Sequence, residues 1–222
     1  MPSEFPFYLA GQWGRSSRPL PVVHPYDGAT CATTWLAGDA EFERAAGAAV
    51  DAAPVMRALP AFERAAILRR AAAEIHRRRD EFARTLALEA GKPIRDAGAE
   101  IDRGAMTFEV AAEEARRIAG EVVPMDLAPH GRGRFAVTRR FPLGPVAAIS
   151  PFNFPFNLSA HKVAPAIAAG DPIVLKPASR TPLSALALAM VLDQAGLPSG
   201  ALSVLPMDRV TGDRLVTDDR FK

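Results

Sequence analysis

The chain has 222 residues (23.7 kDa), of which 49% are apolar, 23% charged and 7% aromatic. These are ordinary values for a globular protein and exclude a disordered or fibrous one. Its 27 basic and 25 acidic side chains leave a formal charge of +2, too even a balance for a nucleic-acid footprint. No run reaches the roughly 18 apolar residues that span a bilayer, and Met1 to Tyr8 lacks the basic then apolar pattern of a leader. A cytoplasmic protein without membrane contact is the expectation. The single cysteine, Cys31, rules out an internal disulfide, and the scattered His24, His76, His130 and His161 share no ligand spacing, so no metal site is expected.

From Phe5 to about Leu36 short apolar runs, Phe7-Tyr8-Leu9 and Val22-Val23, are broken by Gly and Pro and predict short strands and turns. From Asp39 to about Ala119 the apolar residues fall at helical spacing; Leu68, Ala71, Ala72, Ile75, Phe82 and Leu86 mark one stripe. Asp39 is the expected N-cap, Pro60 stands at a helix start, and Gly91-Lys92-Pro93 breaks the pattern before a helix from about Ile94 to Ile118. The Arg77 to Arg79 run reads as a solvated helix face, with anion binding as the sharper alternative. Between Gly120 and Phe141, Arg134 to Phe141 alternates like an exposed strand, which could pair at its edge with another chain.

The remainder changes period again. Val146 to Ile149 and Ile173 to Leu175 are short, wholly apolar runs of the kind buried on both faces of a sheet. A helix from Asn157 to Ala169 ended by Gly170, a second from Pro182 to Ala195 ended by Gly196, and a strand from Leu202 to Leu205 complete a βαβαβ order. That order predicts a doubly wound parallel sheet with ligands at the carboxyl ends of its strands.

The turns just past Ile149 and Leu175 should therefore share one crevice. The first carries Ser150-Pro151-Phe152-Asn153-Phe154-Pro155 and the second Lys176-Pro177-Ala178-Ser179-Arg180. The Asn153 carboxamide could donate to an oxyanion forming on a carbonyl carbon, and Lys176 could meet a ribose hydroxyl or a phosphate. A turn-stabilising Asn and a snorkelling Lys are the plainer alternatives. Gly131-Arg132-Gly133 neither follows a buried strand nor opens a helix, so it is no dinucleotide fingerprint.

The run from Pro142-Leu143-Gly144-Pro145 through Pro151-Phe152-Asn153-Phe154-Pro155, then His161-Lys162-Val163-Ala164-Pro165-Ala166, Leu175-Lys176-Pro177, Thr181-Pro182-Leu183 and Ala195-Gly196-Leu197-Pro198, resembles the NAD(P)-dependent aldehyde dehydrogenase superfamily. Weaker matches, Gly11-Gln12-Trp13 and Glu89-Ala90-Gly91-Lys92-Pro93, extend the resemblance over nearly the whole chain. It implies a Rossmann-like cofactor fold in three parts. Residues 1–119 would be strands and helices of the cofactor domain, 120–141 an oligomerisation-arm strand, and 142–222 the first βαβαβ part of the NAD(P)-binding domain.

The activity implied is oxidation of a small aldehyde to the acid, or to an acyl thioester in some branches, through a thiohemiacetal on a cysteine. Asn153 is implied as the oxyanion carboxamide and Lys162 as a lysine behind the site. Ile149, Ser150, Pro151, Phe152, Lys176 and Ser179 are implied as cofactor contacts and Phe154 as part of the aldehyde tunnel. A homodimer or homotetramer is implied as well. Where many NAD-preferring relatives carry Glu, this chain has Ser179 followed by Arg180, so NADP should be tolerated or preferred. The general-base glutamate and the nucleophilic cysteine are not found, Cys31 being placed too early, and the resemblance implies an incomplete enzyme with the catalytic domain absent. The alternative is a stand-alone chain that binds nucleotide or oligomerises without redox activity.

Overall fold

The structure, a computed structural model, describes residues 3–222; Met1 and Pro2, part of the leader segment weighed above, lie outside the described residues. In chain order the elements are β1 (Phe7–Leu9), β2 (Gln12–Gly14), β3 (Pro19–Val23), β4 (Thr30–Trp35), α1 (Asp39–Ala58), α2 (Ala61–Arg77), α3 (Arg79–Ala90) and α4 (Ile94–Glu114). They continue with β5 (Val122–Pro124), β6 (Phe135–Val137), β7 (Val146–Ile149), α5 (Pro155–Ala169), β8 (Ile173–Lys176), α6 (Leu183–Gln194), β9 (Leu202–Val204) and α7 (Arg209–Thr217).

Local chemistry explains most boundaries. Pro155 opens α5 at a position where no N–H is needed, and Gly170 closes it with a left-handed φ of 89°. The cap of α1 is Gly38 and not Asp39: the Glu41 carboxylate reaches back to accept from Gly38 N–H at 2.8 Å, leaving Asp39 in the first turn, where its charge faces the helix dipole. The stripe from Leu68 to Leu86 is shared by two helices, because Arg78 leaves helical geometry between them and lays its guanidinium over the Phe82 ring at 4.7 Å. The solvated-face reading of the arginine run holds for Arg77, paired with Glu74, and Arg79, paired with Asp102 of α4, but not for Arg78, whose side chain is 13% exposed and pairs with Glu81.

The principal sheet runs in the order β2-β1-β9-β8-β7. β7, β8 and β9 are parallel, with Val146 opposite Ile173 and Ile173 opposite Leu202. The sheet is mixed and not purely parallel, because β1 joins β9 antiparallel through Tyr8 and Val204, and β2 folds back on β1. β3 and β4 form a separate ladder. α5 and α6 follow the right-handed crossovers onto one face, and α2, α3 and α4 pack outside them. α1 and α7 pack on the sheet as well and are tied to each other by Arg214 with Asp39 and Glu43. α4 approaches α5 closely at Gly104, where a Cβ would stand 2.5 Å from Phe156 Cε1.

Two further expectations need correction. Burial on both faces holds for β8, but β7 is an edge strand: Val146 and Ala147 are half-buried and Ile149 is 48% exposed, since β8 is its only strand partner among the described residues. The exposed strand expected from Arg134 to Phe141 is shorter and is paired within the chain. β6 forms a hairpin with β5, Val122 opposite Val137 and Pro124 opposite Phe135, and its other edge has no strand partner among the described residues. The side chains of Val122, Phe135 and Val137 stay exposed.

Candidate active site

The parallel pairing of β7 with β8 sets Ile149 opposite Lys176, and Ser150 N–H donates to the Lys176 carbonyl at 3.0 Å. The two strand-end turns therefore leave one edge of the sheet side by side, as the βαβ order requires. Along the first turn Ile149, Pro151, Phe152, Asn153 and Phe154 are exposed. Ser150 is the exception. Its side chain is buried with Oγ 3.1 Å from Ser159 Oγ, and Ser159 itself donates to the Pro155 carbonyl at 2.6 Å. Asn153 makes no side-chain hydrogen bond among the described residues, so its carboxamide is available as a donor at the sheet edge.

Lys176 is half-buried over α7, seated where Gly212 has no side chain; a Cβ there would collide with Lys176 Cε. Burial pushes its pKa down, opposed by the charges of Asp208 and Asp213. It has no ion pair among the described residues. Ser179 and Arg180, a few residues on, line a groove of about 450 Å³ with Leu20, Val22, Pro25 and Glu89. Ser179 Oγ donates weakly to the Met207 carbonyl at 3.4 Å. Arg180 is exposed and likewise without an ion pair among the described residues.

Sequence reasoning missed the corner between α3 and α4, which holds both turns from below. Gly91 ends α3 at a φ of 66° and turns the chain back. Glu89 is fully buried: one carboxylate oxygen accepts from Leu183 N–H at 2.7 Å, and the other from Ser184 N–H at 2.9 Å and from the Ser184 hydroxyl. Burial raises its pKa to about 7 against the pull of those donors. Glu100, also buried, accepts from Phe156 N–H at 3.0 Å and Asn157 N–H at 3.1 Å with one oxygen and pairs with the Lys92 ammonium through the other. Glu89 thus caps α6 and Glu100 caps α5. The only sequence signal was the Glu89 to Pro93 match, which carried no chemistry of its own.

Phe154 lies between two cations, Lys92 Nζ 3.8 Å and Arg103 Cζ 5.6 Å from its ring centroid. Beyond it, α4 and α5 enclose an open cavity of about 610 Å³ lined by Arg103, Met106, Thr107, Val110, His161 and Pro165 among others. Thr107 Oγ1 stands 3.4 Å from His161 Nε2. Lys162, on the same helix, is half-buried and makes no hydrogen bond or ion pair among the described residues. Cys31 sits in β4, far in sequence from this edge, and donates to the Val22 carbonyl at 3.2 Å; burial pushes its thiol pKa up, which suits an inert thiol. No cluster of metal-ligating side chains occurs among the described residues, and no helix among them is long and apolar enough to cross a membrane.

Comparison with known proteins gives a consistent answer. The aldehyde dehydrogenase family profile matches residues 13–222. A 3-sulfolactaldehyde dehydrogenase of Priestia megaterium is 42% identical over 205 residues, 92% of this chain and 43% of that protein. A glutarate-semialdehyde dehydrogenase of Pseudomonas putida is 41% identical over 200 residues, 89% of this chain and 41% of the other. The crystal structure of aldehyde dehydrogenase 21 from Physcomitrella patens, in complex with the reaction product succinate, superposes with a TM-score of 0.96 at 46% identity, covering 100% of this chain and 47% of that one. An NADP-dependent glyceraldehyde-3-phosphate dehydrogenase from Bacillus halodurans, complexed with NADP, gives 0.94 at 31% identity over 99% of this chain and 47% of its own. The chain thus spans less than half the length of these relatives. With the profile matched over residues 13–222 and the Priestia and Pseudomonas relatives 42% and 41% identical over 92% and 89% of its length, the chain belongs to the aldehyde dehydrogenase family.

Proposed function

We propose that this chain is the nucleotide-binding portion of an NAD(P)-dependent aldehyde dehydrogenase that converts an aldehyde to its carboxylic acid. One observation carries the reading. The Ser150 N–H to Lys176 carbonyl bond sets a free carboxamide, Asn153, and an unpaired ammonium, Lys176, on one sheet edge. That edge fits a nicotinamide dinucleotide: Ile149, Pro151 and Phe152 offer an exposed, largely apolar floor, and Lys176 stands ready to donate to ribose hydroxyls. Ser150 contributes by its main chain, its hydroxyl being turned inward.

Ile149, Pro151, Phe152 and Lys176 would hold the dinucleotide, which would supply the hydride acceptor for oxidation of the thiohemiacetal carbon. Asn153 donates its amide N–H to the oxygen as it gains charge, an effect of about 3 kcal/mol on the barrier. Phe154 walls the aldehyde path, and Lys162 orders α5 behind the turn. The thiohemiacetal forms on a cysteine other than Cys31. The exposed Val122, Phe135 and Val137 of the β5–β6 hairpin suit a contact with a second copy in a dimer or tetramer. The enzyme works in the cytoplasm.

Titration calorimetry with NAD⁺ and NADP⁺ tests the cofactor reading. Saturable binding is expected, with NADP⁺ at least as tight as NAD⁺ because Ser179 and Arg180 put no carboxylate against a 2′-phosphate. Lys176→Ala should weaken either ligand by roughly tenfold to a hundredfold, the value of a charge-assisted hydrogen bond. Equal binding by the variant removes Lys176 from the site, and no binding of either nucleotide ends the claim that this portion holds the adenosine end.

The substrate class follows from the cavity beyond Phe154. Glu114 on its wall is paired with Arg117, whereas Arg103 lines it without an ion pair among the described residues and His161 joins it from α5. An aldehyde with an anionic far end suits those two groups, as it suits the names of the sulfolactaldehyde and glutarate-semialdehyde relatives. Succinate, as a product mimic, should perturb the His161 ring protons in an NMR titration. In Arg103→Ala that response should be at least tenfold weaker; an unaltered response would discard the anion reading.

A further inference from the structure

The Glu89 to Pro93 corner supplies no group that the proposed chemistry uses, yet together with Glu100 of α4 it meets the Asn153 turn at two points. Glu100 holds the first turn of α5 through Phe156 N–H and Asn157 N–H. Lys92 neutralises Glu100, whose side chain is 1% exposed, and lies on the Phe154 ring. Asn153 sits one residue before that ring and has no side-chain hydrogen bond among the described residues, so the turn alone sets where its Cα–Cβ bond points. Phe154 is not held by burial, being exposed, and it precedes the regular helix in a non-helical conformation with φ −141° and ψ 66°. Its carbonyl accepts from Leu158 N–H at 2.8 Å, which ties the main chain to α5, and its ring face is held by the cation.

We infer that Lys92 is a positioning residue for Asn153: its ammonium, anchored by Glu100 and laid on the Phe154 ring, clamps the turn that aims the carboxamide. The two attachments act together. Glu100 holds the ammonium in place, while the ring face gains the cation at short range. A neutral side chain at position 92 loses both the anchor and the clamp. Arg103 stands farther from the ring and does not replace it. The catalytic meaning rests on the reading of Asn153 as oxyanion donor, but the positioning itself is measurable without that chemistry.

The chain contains two asparagines, Asn153 and Asn157. Asparagine-selective ¹⁵N labelling of the full chain therefore yields two side-chain NH₂ signals, assigned with Asn153→Ala. In the wild type the Asn153 pair, exposed but carried on the turn beside the Phe154 ring, should be shifted from free-amide values. Lys92→Met should move it toward free-amide shifts, with the Asn157 pair and the helical circular dichroism retained. Lys92→Arg should restore the wild-type signal. Phe154→Leu, which keeps the Lys92–Glu100 pair and removes the ring, should reproduce that move and guards against a Lys92→Met chain that fails to fold. An unchanged Asn153 pair in Lys92→Met or in Phe154→Leu overturns the inference. So does a joint shift of both pairs with loss of helicity that Lys92→Arg fails to reverse, which would assign Lys92 to helix stability alone. If the nucleotide titration fails while Asn153 still answers to Lys92, the cofactor reading falls and the positioning stands.

Discussion

Replacing Glu89 by alanine is expected to lower the unfolding free energy by about 3 kcal/mol at neutral pH, since two buried N–H groups then lose their acceptor at roughly 1–3 kcal/mol each. Those groups are Leu183 N–H and Ser184 N–H, the first donors of α6, and both residues are buried too deeply for water to take over. The effect should depend on pH with a definite sign. Glu89 has its pKa raised from 4.5 to about 7 in the folded chain. The native state therefore binds more protons than the unfolded state between those values. The contribution of Glu89 is fully present below about pH 4.5 and falls as pH rises through 7, by on the order of 3 kcal/mol across the window. Urea unfolding at pH 5 and at pH 8 checks this. The gap between wild type and Glu89→Ala should be larger at pH 5, and equal gaps would show that the buried carboxyl does not titrate as described.

Glu100→Ala should cost a similar amount, about 3 kcal/mol, through a different imbalance. It uncaps α5 at Phe156 N–H and Asn157 N–H and leaves the Lys92 ammonium without its counter-charge. Breaking a buried pair from one side commonly costs 3–5 kcal/mol, and the lower end applies because Lys92 is 19% exposed and can turn toward water. Glu100→Gln, which keeps one carbonyl oxygen for the two amides, should fall between wild type and alanine. Thermal unfolding of the three chains measures this order. A loss under about 1 kcal/mol for Glu100→Ala would mean that the α5 donors are satisfied some other way. The two carboxylates also predict different local damage. Loss of Glu100 loosens the turn bearing Asn153, and loss of Glu89 loosens the turn that follows Lys176.

The crevice was legible in the sequence because its parts are connected by short, handed units. A strand, a helix and a parallel strand can close only one way, so the residues after Ile149 and after Leu175 had to meet. The helices were legible because their apolar spacing and their Gly and Pro boundaries are local, although the break at Arg78 and the shift of the α1 cap to Gly38 depended on where one guanidinium and one carboxylate pointed. The caps on α5 and α6 were not legible. Any helix leaves its first N–H groups unsatisfied, but nothing local says that a carboxylate 56 residues upstream serves one and another 94 residues upstream serves the other.

The sequence by itself determined the family, through its resemblance in motif, and the βαβαβ order that sets the turns after Ile149 and Leu175 side by side, which follows from periodicity, turn chemistry and chain handedness. The tertiary structure alone decided that β7 is an edge strand, that β6 finds its partner in β5, and that β1 turns the sheet mixed. It alone decided, too, that Glu89, Lys92 and Glu100 brace the site. Each of these depends on a contact between residues far apart in the chain, and such contacts are chosen by packing and by the need to satisfy every buried donor, not by any pattern along the sequence.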